Sequence, residues 1–200
     1  MGEIVRFKIS KPSSLSFKKV GRKKKSADEK AGQLNLFGGQ GRVKQITALA
    51  SDFEKALLLD ERGNEDARIH YQSAIASGEH VADAFCNLGI LEFNLGHVDE
   101  SLDCFTSALR ANPTLFEAHY NLGNLYFHLN NLQPARVHYE IASKLDPSYP
   151  HVYYNLGLAL ALEKKFDRAI TSLSRYRDIA PAGESSSVEE LIESLKVSMS

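Results

Sequence analysis

Cysteine is scarce in this sequence. Only Cys86 and Cys104 occur among 200 residues. They form no C-x-x-C pair, so neither a zinc cluster nor a dithiol redox motif is supported. This usage points to a reducing compartment, and a cytoplasmic location is expected. Long apolar runs are missing too. No stretch approaches the ~20 apolar residues of a membrane-spanning helix, and the N-terminus lacks the apolar core of a secretory signal. In "MGEIVR", Arg6 stands where a myristoylation signal has Ser or Thr. No membrane partner is therefore expected.

Catalytic signatures are equally thin. His119, His128, His138 and His151 lie close in sequence, but no pair has the i, i+4 spacing of a helical metal site with a carboxylate between. No nucleophile–base motif is present. The glycines of "GGQGR" lack the strand–loop–helix context and the G-K-[ST] ending of a phosphate loop. The expectation is a binding protein with no catalytic residue, no metal and no cofactor.

Charge is present but divided. Net charge is −1, yet residues 1–47 hold 12 of the 24 Lys and Arg against Glu3, Asp28 and Glu29 alone. Residues 48–200 hold the other 12 basic residues against 22 acidic ones. A basic arm is joined to an acidic body.

The body repeats itself. "NLG" occurs at Asn87-Leu88-Gly89, Asn121-Leu122-Gly123 and Asn155-Leu156-Gly157, at a constant step of 34 residues. Pro113, Pro147 and Pro181 keep the same step, as do Phe105, Tyr139 and Leu173, and the small residues Ser101, Ala135 and Ala169. Leu88, Leu91 and Leu95 fall at helical spacing, as do Leu122, Leu125 and Leu129. Gly96 and Asn130-Asn131 supply turns, Pro134 suits a first helical turn, and the phased prolines stop the helices before them. Glycine in one helix and a large residue in the next predict close packing between the two.

Residues 46–181 resemble the tetratricopeptide repeat (TPR) family of helix–turn–helix units. "AFCNLGILEFNLGHVDESLDCFTSALRANP" and "AHYNLGNLYFHLNNLQPARVHYEIASKLDP" carry the pattern nearly throughout. "VYYNLGLALALEKKFDRAITSLSRYRDIAP" departs from it at Tyr176, where the family has alanine. An eroded unit precedes them. Ala67, Tyr71 and Ala74 match its second helix, Ala56 takes the place of the glycine, and Glu79 stands where the proline belongs. The expected fold is all-α, an α-solenoid of TPR units behind a disordered basic arm at 1–46. The TPR domain is 47–200: a degenerate repeat at 47–81, repeats at 82–115, 116–149 and 150–183, and a capping helix at 186–199. In that last helix Ser187 and Glu190 suggest a capping box, and Val188, Leu191, Ile192 and Leu195 make the apolar face that covers an open repeat end.

The resemblance implies a concave groove lined by first helices. It maps to Asp83, Cys86, Ile90 and Phe93, then Glu117, Tyr120, Asn124 and Phe127, then His151, Tyr154, Leu158 and Ala161. Asn87, Asn121 and Asn155 stand at one place in consecutive units. An amide both gives and accepts hydrogen bonds with a peptide backbone. The three resemble the asparagine ladder in the repeats of O-linked N-acetylglucosamine transferase. The other reading is that each asparagine merely bonds a neighbouring helix. The chaperone-binding version of the family clamps carboxylates with lysine and arginine. Here Cys86, Tyr120, Glu117 and His151 stand at such places, so that clamp is not expected. A protein or peptide partner in the groove is.

The arm offers three further readings. Its Lys and Arg attract nucleic acid through charge without sequence preference, or serve as a nuclear localisation signal in a eukaryote. Gln33, Leu34, Leu36 and Phe37 of "QLNLF" resemble the pentapeptide by which bacterial proteins dock on the β sliding clamp, which would make this a replication-associated factor. The same apolar residues could instead cap the first repeat, or match by chance. Third, the basic arm could lie on the acidic repeats and occlude the groove.

Overall fold

The computed structural model describes residues 16–21, 50–181 and 186–199. Among these, every regular element is an α-helix. The "EIVRFKIS" alternation and the "QLNLF" pentapeptide lie outside the described residues. So do the other arm residues expected to be disordered, apart from 16–21. The chain divides into two compact units.

One unit comprises residues 19–21 and 50–112. It holds α1 (Asp52–Glu61), α2 (Ala67–Ala76), α3 (Val81–Asn94) and α4 (Val98–Ala111), each packed on the next. Ser51 caps α1, its Oγ accepting from the Glu54 N–H at 3.2 Å, which satisfies a donor left free at a helix start. Phe53, Ala56, Leu57, Tyr71, Ala74, Leu88 and Cys104 form its core. The eroded repeat is thus a packed helical hairpin. Gly78, at φ +78°, follows α2, and the next residue, Glu79, stands where the other units have proline.

The other unit comprises residues 16–18 and 113–199. It holds α5 (Phe116–His128), α6 (Leu132–Leu145), α7 (Pro150–Leu162), α8 (Phe166–Ile179) and α9 (Ser186–Val197), again packed in order. Val188, Ile192 and Leu195 of α9 are buried in the same core as Leu173 and Tyr176. That is the capping role expected of this helix. The Ser187 side chain lies outside the described set.

The phased glycines work as the pattern implied. A Cβ on Gly123 would stand 2.6 Å from the Tyr139 ring, and one on Gly157 would stand 2.6 Å from Leu173. On Gly89 it would meet Phe105 at 2.9 Å. Opposite Gly89, buried Ser101 donates its hydroxyl to the Gly89 carbonyl at 2.7 Å. Close backbone approach therefore needs both a missing side chain and a small partner.

First helices end alike. After α3, α5 and α7 the chain passes through Gly96, Asn130 and Lys164, each at positive φ. In each case that residue's N–H and the next one's bond back to the closing turn, as in Lys164 to Ala161 and Lys165 to Leu160. This is the left-handed Schellman ending. Lys164 holds a conformation that favours glycine.

Candidate peptide-binding site

Each unit holds a piece of the chain's own arm. In the unit of α5, the Asn121 side-chain Oδ1 accepts from the Lys18 backbone N–H at 2.8 Å, and its Nδ2 donates to the Lys18 carbonyl at 2.9 Å. Asn124, one helical turn on, donates Nδ2 to the Ser16 carbonyl at 3.2 Å. In the unit of α3, Asn87 repeats the device. Its Oδ1 accepts from the Val20 N–H at 2.8 Å and its Nδ2 donates to the Val20 carbonyl at 2.9 Å. One amide thus satisfies both backbone groups of one residue, as a neighbouring strand would. Within the unit of α5 the alternate residues 16 and 18 are engaged. In an extended chain these present their backbone groups on one side. Carboxamides here substitute for the water that would otherwise solvate the backbone of residues 16, 18 and 20.

Lys18 is held by its side chain as well. Its Nζ lies 4.5 Å from the Phe116 ring centroid and 4.1 Å from that of Tyr149. The two rings meet almost at right angles, 76°, with centroids 5.3 Å apart. Asp146 Oδ2 is 3.9 Å from the same ammonium. Asp146 Oδ1 accepts from the Ser148 N–H and hydroxyl at 3.1 and 2.6 Å, which fixes the carboxylate. In the unit of α1, Lys19 Nζ reaches Asp60 Oδ1 at 2.7 Å, and Tyr71 donates its hydroxyl to Asp60 Oδ2 at 3.0 Å. Burial and the Asp60 charge together push the Tyr71 phenol upward, so it stays a donor.

The sequence-mapped groove residues fall into distinct groups. Asn87, Asn121 and Asn124 are fully buried and face the arm through the bonds above. Asn155 takes the other course, donating to Asn124 Oδ1 at 2.9 Å and to the Tyr120 hydroxyl at 3.2 Å. Asn124 Oδ1 also accepts from Tyr139 at 2.8 Å, so its amide is shared between arm and core. Tyr120, Phe127, Leu158 and Ile90 are buried, whereas Phe93 and Tyr154 are half-buried. Tyr154 packs on Tyr176 with centroids 5.2 Å apart. Lys18, Phe116, Asp146 and Tyr149 escape a sequence reading. The residues at the Phe116 place in flanking units are Ala82 and Pro150, so periodicity does not flag it.

His119 and His138 pack against each other. His119 Nε2 lies 3.0 Å from the Pro113 carbonyl and its Nδ1 lies 3.1 Å from His138 Nδ1. Burial lowers both, and His138 falls to about 4 as His119 adds to the effect. Among the described residues no group of His, Cys, Asp and Glu is placed to hold a metal, and no helix is long and apolar enough to cross a membrane. Cys86 and Cys104 are buried and form no disulfide.

Family profiles match nearly the whole helical region. Two described as tetratricopeptide repeat cover 56–114, 86–136 and 150–182, and one described as TPR repeat covers 123–164. The chain belongs to the tetratricopeptide repeat family. TPR repeats are scaffolds of protein–protein interaction. Solved structures agree on the fold. MamA is 21% identical over 72% of this chain and 84% of its own, with a TM-score of 0.64. The first TPR of Spaghetti (RPAP3), bound to the HSP90 peptide SRMEEVD, is 23% identical over 59% of this chain and 92% of its own, with a TM-score of 0.54. The translocator chaperone SycD of Yersinia enterocolitica is 13% identical over 60% and 86%, with a TM-score of 0.55. Comparison with the curated proteins returns no match.

Proposed function

We propose that this TPR protein is a non-enzymatic adaptor that binds an extended peptide by its backbone. Asn121 and Asn124 do this in one unit and Asn87 in the other. The observation that carries the reading is the two-bond ring between the Asn121 carboxamide and the Lys18 backbone. Such a ring needs no particular side chain, so another extended segment can take its place. In this reading the arm is a resident occupant, and a partner must displace it. The basic arm on an acidic body favours that self-contact at low salt.

The peptide in the Spaghetti structure carries two glutamates and a final aspartate. The residues around Lys18 here, Asp146 with Phe116 and Tyr149, suit the opposite charge. The preferred ligand is accordingly a basic segment rather than an acidic tail.

The test uses the full chain and a fluorescent peptide spanning Pro12–Lys23. Replacing Lys18 and Val20 of the arm by proline deletes the two N–H groups that Asn121 and Asn87 accept, while proline still fits an extended chain. That variant should bind the peptide at least about tenfold tighter than the natural chain, whose own arm competes. Adding Asn121→Ala should remove most of the gain. Equal binding by the natural chain and the proline variant would refute arm occupancy, and equal binding with and without Asn121 would refute the ladder.

A further inference from the structure

The amides recur with the repeat, but the residues around the Lys18 ammonium do not. At the Phe116 place the flanking units have Ala82 and Pro150. At the Tyr149 place the preceding unit has Leu115, and at the Asp146 place the units on either side have Asn112 and Ala180. Among the described residues of the repeats this aromatic corner with a carboxylate beside it does not recur at the equivalent places, and its ligand is a lysine side chain.

We infer that Phe116, Tyr149 and Asp146 form a lysine-reading pocket, which admits a partner peptide when the residue bonded by Asn121 is a charged lysine and rejects it when that lysine is acetylated. The inference rests on the adaptor reading and names the chemistry of its ligand. Three features support it. The corner is prebuilt: Phe116 stacks on Tyr120 at 6.0 Å with the rings within 10° of parallel, and Tyr149 meets Tyr120 edge-on at 5.2 Å. The carboxylate is preset by Ser148. Finally, the ammonium stands 3.9 Å from Asp146 Oδ2 and 4.1 and 4.5 Å from the two ring centroids, so the carboxylate and the π faces all act on its charge. Acetylation leaves the stem in place but removes that charge and enlarges the head. Reading charge at one position also supplies what a backbone ladder lacks, a reason to prefer one extended segment over another.

The test measures binding to the full chain carrying the Lys18→Pro and Val20→Pro arm. Its probes are the Pro12–Lys23 peptide unmodified, acetylated at Lys18, or acetylated at Lys23. The unmodified peptide should bind about tenfold tighter than the Lys18-acetylated one, and the Lys23-acetylated peptide should stay within about twofold of it. Asp146→Asn and, separately, Tyr149→Leu should shrink the Lys18 discrimination, while circular dichroism confirms that each variant folds. Equal losses from acetylation at the two positions would mean that overall charge is read, and the inference falls. It also falls if acetylation at Lys18 changes nothing while Asn121→Ala still weakens every peptide, an outcome that leaves the adaptor reading standing. No binding of the unmodified peptide overturns both.

Discussion

Asn155 donates its side-chain N–H to Asn124 Oδ1 at 2.9 Å, so it is turned inward although Asn121, one repeat earlier, bonds the arm. The same consensus asparagine thus serves two ends. Asn155→Ala should behave as a core mutation, leaving the buried Asn124 amide one donor short. We expect a loss of roughly 1–3 kcal/mol in urea unfolding with peptide affinity nearly kept. Asn121→Ala should show the reverse balance. A variant pair with equal stability losses and equal affinity losses would contradict this division.

Gly123 and the Tyr139 ring set a second expectation. A methyl on Gly123 would lie 2.6 and 2.7 Å from the ring of a fully buried tyrosine that also bonds Asn124. Gly123→Ala gains about 1 kcal/mol of helix propensity but overpacks the interface by about 1–3 kcal/mol. Net destabilisation is expected in thermal unfolding. Tyr139→Leu on the same background should recover part of it, because a shorter side chain can move away.

Lys164 adopts φ +60° at the end of α7, where the equivalent residue after α3 is Gly96. Lysine strains there and glycine does not. Lys164→Gly should raise stability by about 0.5–1 kcal/mol, visible as a higher urea midpoint at an unchanged slope. The side chain is exposed, so no packing is lost.

His138 supplies a pH dependence. Burial, then the neighbouring His119, lowers it from its ordinary 6.5 to about 4 in the folded chain. Between those values the unfolded chain binds more protons than the folded one. The contribution is fully present above pH 6.5 and is lost as pH falls toward 4, by on the order of 2 kcal/mol for this half-buried group. His138→Phe keeps the stacking partner of Tyr126 and should flatten the fall in urea stability from pH 7 to 4. An equally steep fall in that variant would assign the effect elsewhere.

How much was legible from the residues alone can be seen at particular positions. The step from Gly89 to Gly123 to Gly157 announced hairpins of helices, because each glycine needs a large residue facing it at a fixed offset. The face formed by Val188, Ile192 and Leu195 announced a helix that covers an end. Asn87, Asn121 and Asn155 were visible as a series, but their roles were not. A carboxamide bonds equally well to a backbone or to another amide, and only the arrangement around it selects one. Tyr176, the departure from consensus, proved to be a buried residue against Tyr154.

The sequence by itself determined the repeat, its helices and their order, since periodic burial and turn chemistry are local properties. Tertiary structure alone decided that Lys18 meets Phe116, Tyr149 and Asp146. Those residues are separated by about a hundred positions or more from the lysine and share no period with it. Only the folding of the helices brings an aromatic corner, a fixed carboxylate and an amide to one residue of the arm.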